Sequence, residues 1–264
     1  MTVPFLGAAL PLDASGLESS ISPLGIRATE FWAVLSVETS GCGFLPDRRP
    51  KILFERHVFH QQTKGRYDSD PSGVSNATAG GYGPGGAAQY LRLQHAMELD
   101  SSAALKSASW GVGQVMGYHA ETLGYGSVEA MVDKMQSSEA EQLSAMAKFI
   151  DTNGLAGALR MHDWPRFAAS YNGSNYRINN YDTRLASAYA AIDRGGPPDL
   201  TVRAGQMLLT YLGIDPSGVD GVMGRMTRSA MNDFQRAHQL AITNFFDDPT
   251  MQALRAAVGK LPNT

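Results

Sequence analysis

The stretch "DRGGPPDL", Asp193 to Leu200, sets two glycines and two prolines between segments of helical periodicity. Proline removes a backbone donor and fixes φ, and glycine has the most freedom to lose, so a regular element is not expected to run through it. The chain is therefore expected to divide there, into residues 1–194, a linker at 195–200 and a small unit at 201–264. The 264 residues, 43% hydrophobic and 18% charged, suffice for one large or two smaller globular units. Cys42 is the only cysteine, so no disulfide framework or cysteine-rich zinc site can replace a hydrophobic core.

A formal net charge of -3, with no long basic run, leaves no electrostatic footprint for nucleic acid. The opening "MTVPFLGAALPLDASG" lacks a basic start and is broken by Pro4 and Pro11, which argues against a secretory signal. No segment reaches the roughly 18 continuous apolar residues of a membrane helix. The expectation is a monomer without membrane insertion, cofactor or metal.

Helical periodicity dominates the larger part, over Thr29 to Val37, Ala87 to Leu99, Ser127 to Ile150 and Asp182 to Ile192. Within it, Ser138 and Glu141 have capping-box spacing, and Leu143, Met146, Ala147 and Ile150 form one apolar stripe that Asn153-Gly154 ends. "RPKILFERHVF", Arg49 to Phe59, is the best strand. "SNATAGGYGPGGAAQY" lacks the lysine of a phosphate-binding loop and reads as a surface loop able to line a cleft. The fold class is mainly α with a small extended element, followed by three short helical patterns in 201–264.

In "SVETSG" a carboxylate, Glu38, closes the apolar run "FWAVLSV". On a helix from Thr29 it shares a face with Phe31, Val34 and Leu35. Lost hydration and the negative end of the helix both favour the protonated carboxyl, as the general acid of a glycosidase requires. The structural alternative is a helix-end glutamate paired with Arg48, Arg49 or a backbone amide.

Two further blocks follow, "SASWGVGQVMGYHA" and "FAASYNGSNYRINNYDTRLASAYAAI". With "SVETSG" they resemble, in order, the motif blocks of the goose-type lysozyme and lytic transglycosylase superfamily. More closely, "FWAVLSVETSGCGFLPDRRPKILFERHVF", "GGYGPGGAAQYLRL" and "ALKSASWGVGQVMG" resemble the N-acetylmuramidase domain of endolysins from phages of Gram-negative bacteria. The resemblance implies a lysozyme-like helical fold, Glu38 as catalytic acid, and Gln114, Tyr171 and Asn172 beside the glycan. An amide can bond an N-acetyl or hydroxyl group, and a tyrosine ring can stack on a sugar face.

The second carboxylate stays open between Asp47 and Glu55. Asp47 follows Glu38 at the spacing of phage-type lysozymes, but Leu53 stands where their threonine would be. Glu55 could face Glu38 across a cleft, or pair with Arg56 or His57. An inverting hydrolase needs its carboxyls about 6.5–9.5 Å apart and a retaining one about 5–5.5 Å; a lytic transglycosylase could use Glu38 alone. "HVFH", His57 to His60, could suggest zinc with His95, His119 or His162, but on a strand the two side chains would point to opposite faces, and no matching metal motif follows.

In the last part, "GVDGVMGRMTRSAMNDFQRAHQL" resembles a three-helix peptidoglycan-binding domain, with a degenerate second turn in "FFDDPTMQAL". Phe234 and Leu240 read as core. The resemblance implies wall contacts near Asp220, Arg225 and Gln235, and bacterial peptidoglycan as the partner. It implies a muramidase for host lysis, made in the host cytoplasm and acting in the periplasm of a Gram-negative host. A non-catalytic wall-binding or phage structural protein is the alternative from another class.

Overall fold

The structure is a computed structural model that describes residues 4–38, 41–171 and 176–261; the side chains of Glu38 and Tyr176 lie outside that description. The larger part runs α1 (Ala14–Ile21), α2 (Ala28–Glu38), β1 (Ile52–Phe54), α3 (Arg56–Thr63), α4 (Ala88–Leu99), α5 (Ser101–Lys106), β2 (Ala108–Trp110) and β3 (Val115–Met116). It continues with α6 (Val128–Ser137), α7 (Glu139–Thr152), α8 (Ala156–Arg160), α9 (Trp164–Tyr171) and α10 (Tyr181–Gly195). Then come α11 (Leu200–Tyr211), α12 (Arg225–Ala237) and α13 (Asp248–Gly259). The mainly helical expectation holds.

The central helix is α2, whose Phe31, Ala33 and Val34 are wholly buried. Its start is held by Glu30, which accepts hydrogen bonds from the Arg27 amide and guanidinium and also meets His162. Helix α10 packs along α2, and Trp110, Tyr90, Phe54, Phe59 and Phe167 complete the core. The sheet is three short antiparallel strands in the order β1-β2-β3, with Ile52 opposite Trp110 and Trp110 opposite Val115.

Two expected elements change. The strand foreseen over Arg49 to Phe59 extends only over Ile52–Phe54. Phe54 donates its amide to the Gln89 side chain and Glu55 to the Ser107 carbonyl, after which the chain coils into α3. The periodic run from Ser127 to Ile150 is two helices. Ser138 sits between them in extended backbone and accepts from the Glu141 amide, so this N-cap starts α7 where α6 ends. That extended residue also bridges Leu10, which ties the N-terminal segment to the break.

The last three helices contain a repeated device. The buried Gln206 amide donates to Asp220, Val222 and Thr227 and accepts from the Asp220 and Gly221 backbones. Gln235, equally buried, donates to Thr243, Phe245 and Thr250 and accepts from the Thr243 backbone. Each glutamine staples the turn before the next helix to that helix's first turn. Phe234 is core, and Leu240 packs against the same cluster half-buried.

Helix α11 is not held apart from the larger part. One hydrophobic cluster joins Ala9, Cys42 and Phe44 to Met207, Leu208 and Leu209. The Tyr211 hydroxyl donates to the Ala9 carbonyl at 3.0 Å. At the centre, the buried Arg203 grips the buried Glu139 with two guanidinium nitrogens, one of them Nη2 at 2.8 Å from Oε1. Glu139 also accepts from the Gly43 and Leu12 amides, and Arg203 donates to the Gly41 carbonyl. Burial alone would raise the Glu139 carboxyl, but the Arg203 charge and these donors outweigh it and hold the carboxyl low.

Removing one member of a buried pair strands the other charge. Arg203→Met is expected to lose about 3–5 kcal/mol of stability in urea denaturation, and Arg203→Met with Glu139→Gln much less. The sign with pH follows from the depressed carboxyl. The pair's contribution is complete above the unfolded glutamate value and is lost as pH falls through the lower folded value, a loss the double variant should lack.

Candidate active site

Glu38 is the last residue of α2. The backbone on either side of it is anchored by an arginine from elsewhere in the chain. Arg184 of α10 donates to the Val37 carbonyl at 3.1 Å, and Arg203 of α11 donates to the Gly41 carbonyl at 2.8 Å. A cation at a helix C-terminus offsets its negative partial charge, so Arg184 opposes the helix-end effect expected from sequence. The Glu38 side chain, with Thr39 and Ser40, lies outside the described residues.

Next to α9 lies a groove lined by the β2–β3 turn and a run of rings. Tyr118, His119, Phe149 and Tyr171 line it together with Gly113 and Gln114. The rings follow one another, with centroids 4.3 Å apart for Tyr118 and His119, 5.0 Å for His119 and Phe149, and 5.4 Å for Phe149 and Tyr171. Such surfaces suit the apolar faces of sugars. Burial lowers the His119 imidazole, keeping it neutral near pH 7. Burial, followed by the Glu55 charge, raises the Tyr118 phenol.

Gln114 and Tyr171 come together here, and both are also occupied with the turn. Gln114 has φ +47°, a conformation that side chains other than glycine rarely adopt. Its amide donates to the Gly111 and Lys51 carbonyls and accepts from the Ser109 hydroxyl, which joins the turn to the chain before β1. The Tyr171 hydroxyl donates to the Gly113 carbonyl at 3.0 Å, and its ring stacks on Phe167. Asn172 lies outside the described residues. Sequence reasoning missed Tyr118 and Phe149 and considered His119 only as a zinc ligand; the adjacent rings of Tyr118 and His119 in "GYHA" were the available signal.

The two candidate bases sit in different surroundings. Asp47 is exposed, and its carboxylate accepts from the Arg49 amide and, at 3.0 and 2.7 Å, from the Arg49 guanidinium. That guanidinium also lies 4.2 Å from the Tyr90 ring centroid. Glu55 precedes α3 without capping it, and its Oε2 is 3.4 Å from His57 Nδ1. Burial raises the Glu55 carboxyl and the His57 charge opposes this only in part. Among the described carboxyls with a resolved shift, Glu55 alone is raised; Asp13, Glu30, Asp68, Asp70, Glu139 and Asp247 are all lowered.

His57 and His60 lie on a helix rather than the expected strand, and residues three apart on a helix share a face. His60 is engaged by Asp68 at 2.8 Å, and among the described residues no group of three or more His, Cys, Asp or Glu could hold a metal. In the last three helices, Arg225 is exposed at the start of α12 and Asp220 is exposed in its turn. Gln235 is fully buried with its amide used internally, which puts it inside the module rather than in a groove.

Residues 27–193 match the family model for N-acetylmuramidase. The chain belongs to that family. This muramidase is a glycoside hydrolase that degrades peptidoglycan, and residues 199–254 match a putative peptidoglycan-binding domain, so the polymer is also its binding partner. A solved structure, the Burkholderia AP3 phage endolysin, is similar with a TM-score of 0.64 and 39% identity, over 73% of this chain and 72% of that one. No curated protein sequence matches the muramidase. No helix among its described residues is long and apolar enough to cross a membrane.

Gln114→Ala tests the groove's framework. It leaves the Lys51 and Gly111 carbonyls without this donor, and a loss of about 1–2 kcal/mol in thermal or urea denaturation is expected, together with slower turbidity loss of permeabilised cells.

Proposed function

We propose that this muramidase is a phage-type endolysin that hydrolyses the β-1,4 bond from N-acetylmuramic acid to N-acetylglucosamine for host lysis. Residues 1–194 form the catalytic unit, 195–200 the connection and 201–264 the wall-binding unit. It acts as a monomer on the periplasmic wall of a Gram-negative host after release from the cytoplasm. Glu38 is the general acid that protonates the leaving oxygen as the sugar gains oxocarbenium character. Glu55, rather than Asp47, is the second carboxylate.

The observation that carries the choice is the contrast in carboxyl environments. A base that must take a proton from water works best when its own affinity for protons is raised. Glu55 is held above the ordinary carboxyl value by burial, and its charge reaches Tyr118 in the aromatic groove. Asp47 instead spends both oxygens on Arg49. Gln114 shapes the turn under the glycan, and Tyr171 with the neighbouring rings supplies its stacking floor. On the wall-binding unit, Asp220 and Arg225 are the surface contacts.

The test is the product spectrum and rate on purified sacculi. Glu38→Gln is expected to abolish release of soluble glycan with fold and wall binding kept. Glu55→Gln should cut the rate by about 100-fold or more, and Asp47→Asn by less than about 3-fold. The products should carry reducing ends; 1,6-anhydro ends would identify a transglycosylase, and wild-type rates for Glu38→Gln would refute the acid. Since Glu55 must be deprotonated to act, activity should fall as pH drops, with a midpoint above the ordinary carboxyl value of 4.5.

A further inference from the structure

Arg56, next to Glu55 in the chain, and Arg92 meet without an ion-pair partner among the described residues. Arg56 opens α3 and Arg92 lies on α4, both half-buried, and among the described residues neither takes part in an ion pair. The Arg92 guanidinium is 6.0 Å from the Phe54 ring centroid, and its buried Nε and Nη2 have no hydrogen-bond partner. Burial, then the Arg56 charge, lowers Arg92, so the two cations sense one another. Buried guanidinium donors are ordinarily satisfied, and an orphaned pair calls for an explanation.

The loop above them is built around these groups. Arg56 Nε donates to the Thr78 carbonyl at 3.2 Å. A Cβ at Gly81 would lie 2.7 Å from Arg56 Cζ, and one at Gly83 would lie 3.7 Å from Arg92 Nη1; both glycines have positive φ. Gln89 pins the loop from below by donating to the Tyr82 and Pro84 carbonyls at 2.8 and 2.7 Å. The glycines let backbone close over the two guanidinium groups, with Arg56 Nε taken by Thr78 and the buried Arg92 Nε and Nη2 left unpaired.

We propose that Arg56 and Arg92 form an anion site for a carboxylate borne by the muramyl residue of the substrate, next to the reaction centre. The inference rests on the muramidase reading. Hydroxyl and N-acetyl groups of the glycan are neutral, so the negative groups on the strand are the lactyl carboxylate, where free, and the carboxylates of the peptide attached through it. A guanidinium fork matches a carboxylate in shape and charge.

The test uses the full chain and soluble glycan strands whose amines are acetylated. In one substrate the carboxylates are left free, and in the other they are converted to neutral methylamides. Wild type should prefer the free form, and Arg92→Gln should raise KM for it by about ten-fold while matching wild type on the neutral form. Arg56→Gln, with a thermal melt for each variant, guards against a folding loss. Peptide-free strands, whose carboxylate is the lactyl one, separate the two sources: a preference kept there names the lactyl group, and one lost there names the peptide.

No preference by wild type, or an equal loss on both substrates, would overturn the proposal. So would stabilisation of wild type by inorganic phosphate without any substrate preference, which would mark a site for small free anions. Binding of the same strands by Glu38→Gln, with and without Arg92→Gln, is measured by calorimetry. Charge-dependent binding without cleavage by wild type would refute the muramidase reading and leave the anion site standing.

Discussion

The Arg203–Glu139 pair joins what the chain keeps far apart in sequence. Its four anchors are the N-terminal segment at Leu12, the loop after Glu38 at Gly41 and Gly43, the start of α7, and helix α11 of the wall-binding module. In a dry interior each of these groups constrains the others, because any that moves leaves a charge or amide unsatisfied. The backbone at Gly41 and Gly43 therefore has its position set partly by the wall-binding module. A tether would give local concentration alone; this contact makes the module part of the catalytic unit's framework.

That connection explains the otherwise odd membership of the second core. Ala9, Cys42 and Phe44 belong to the larger part by sequence, yet they cover Met207, Leu208 and Leu209. Three short helices bury little apolar surface on their own. Here they borrow a face, and Gly41 allows the approach: with φ +90°, a Cβ would come within 3.0 Å of the Val219 carbonyl.

Periodicity made the helices legible, including the N-cap at Ser138, because a single repeat of burial writes itself along one helix face. The short sheet was poorly legible. β1 is three residues long and is held by Gln89 and Ser107, which lie distant in sequence, so "ILFERHVF" read as one strand although its second half is helix. The resemblance points to Glu38, Gln114 and Tyr171, but not to the surroundings that separate Glu55 from Asp47. The bond from Arg49 to Asp47 is local, whereas the Glu55 charge is felt at Tyr118, far along the chain, and no short-range pattern announces that neighbourhood.

The least legible feature is the use of glutamine. Gln142 accepts from the Val112 amide and donates to the Met135 carbonyl, and it fits only because residues 43 and 111 are glycines, whose Cβ atoms would lie 1.7 and 2.5 Å from its amide group. Gln89, Gln114, Gln206 and Gln235 act in the same way, each with one amide spanning two or more loop groups. An amide can donate and accept at once, which suits it to joining irregular segments that have no ladder of their own. Gly43 of "SGCGF" and Gly111 of "WGVGQ" thus belong with Gln142, which lies beyond either motif. Read alone, Gln114 looks like a ligand for sugar; read with its partners, it gives the aromatic groove its shape through the backbone it holds.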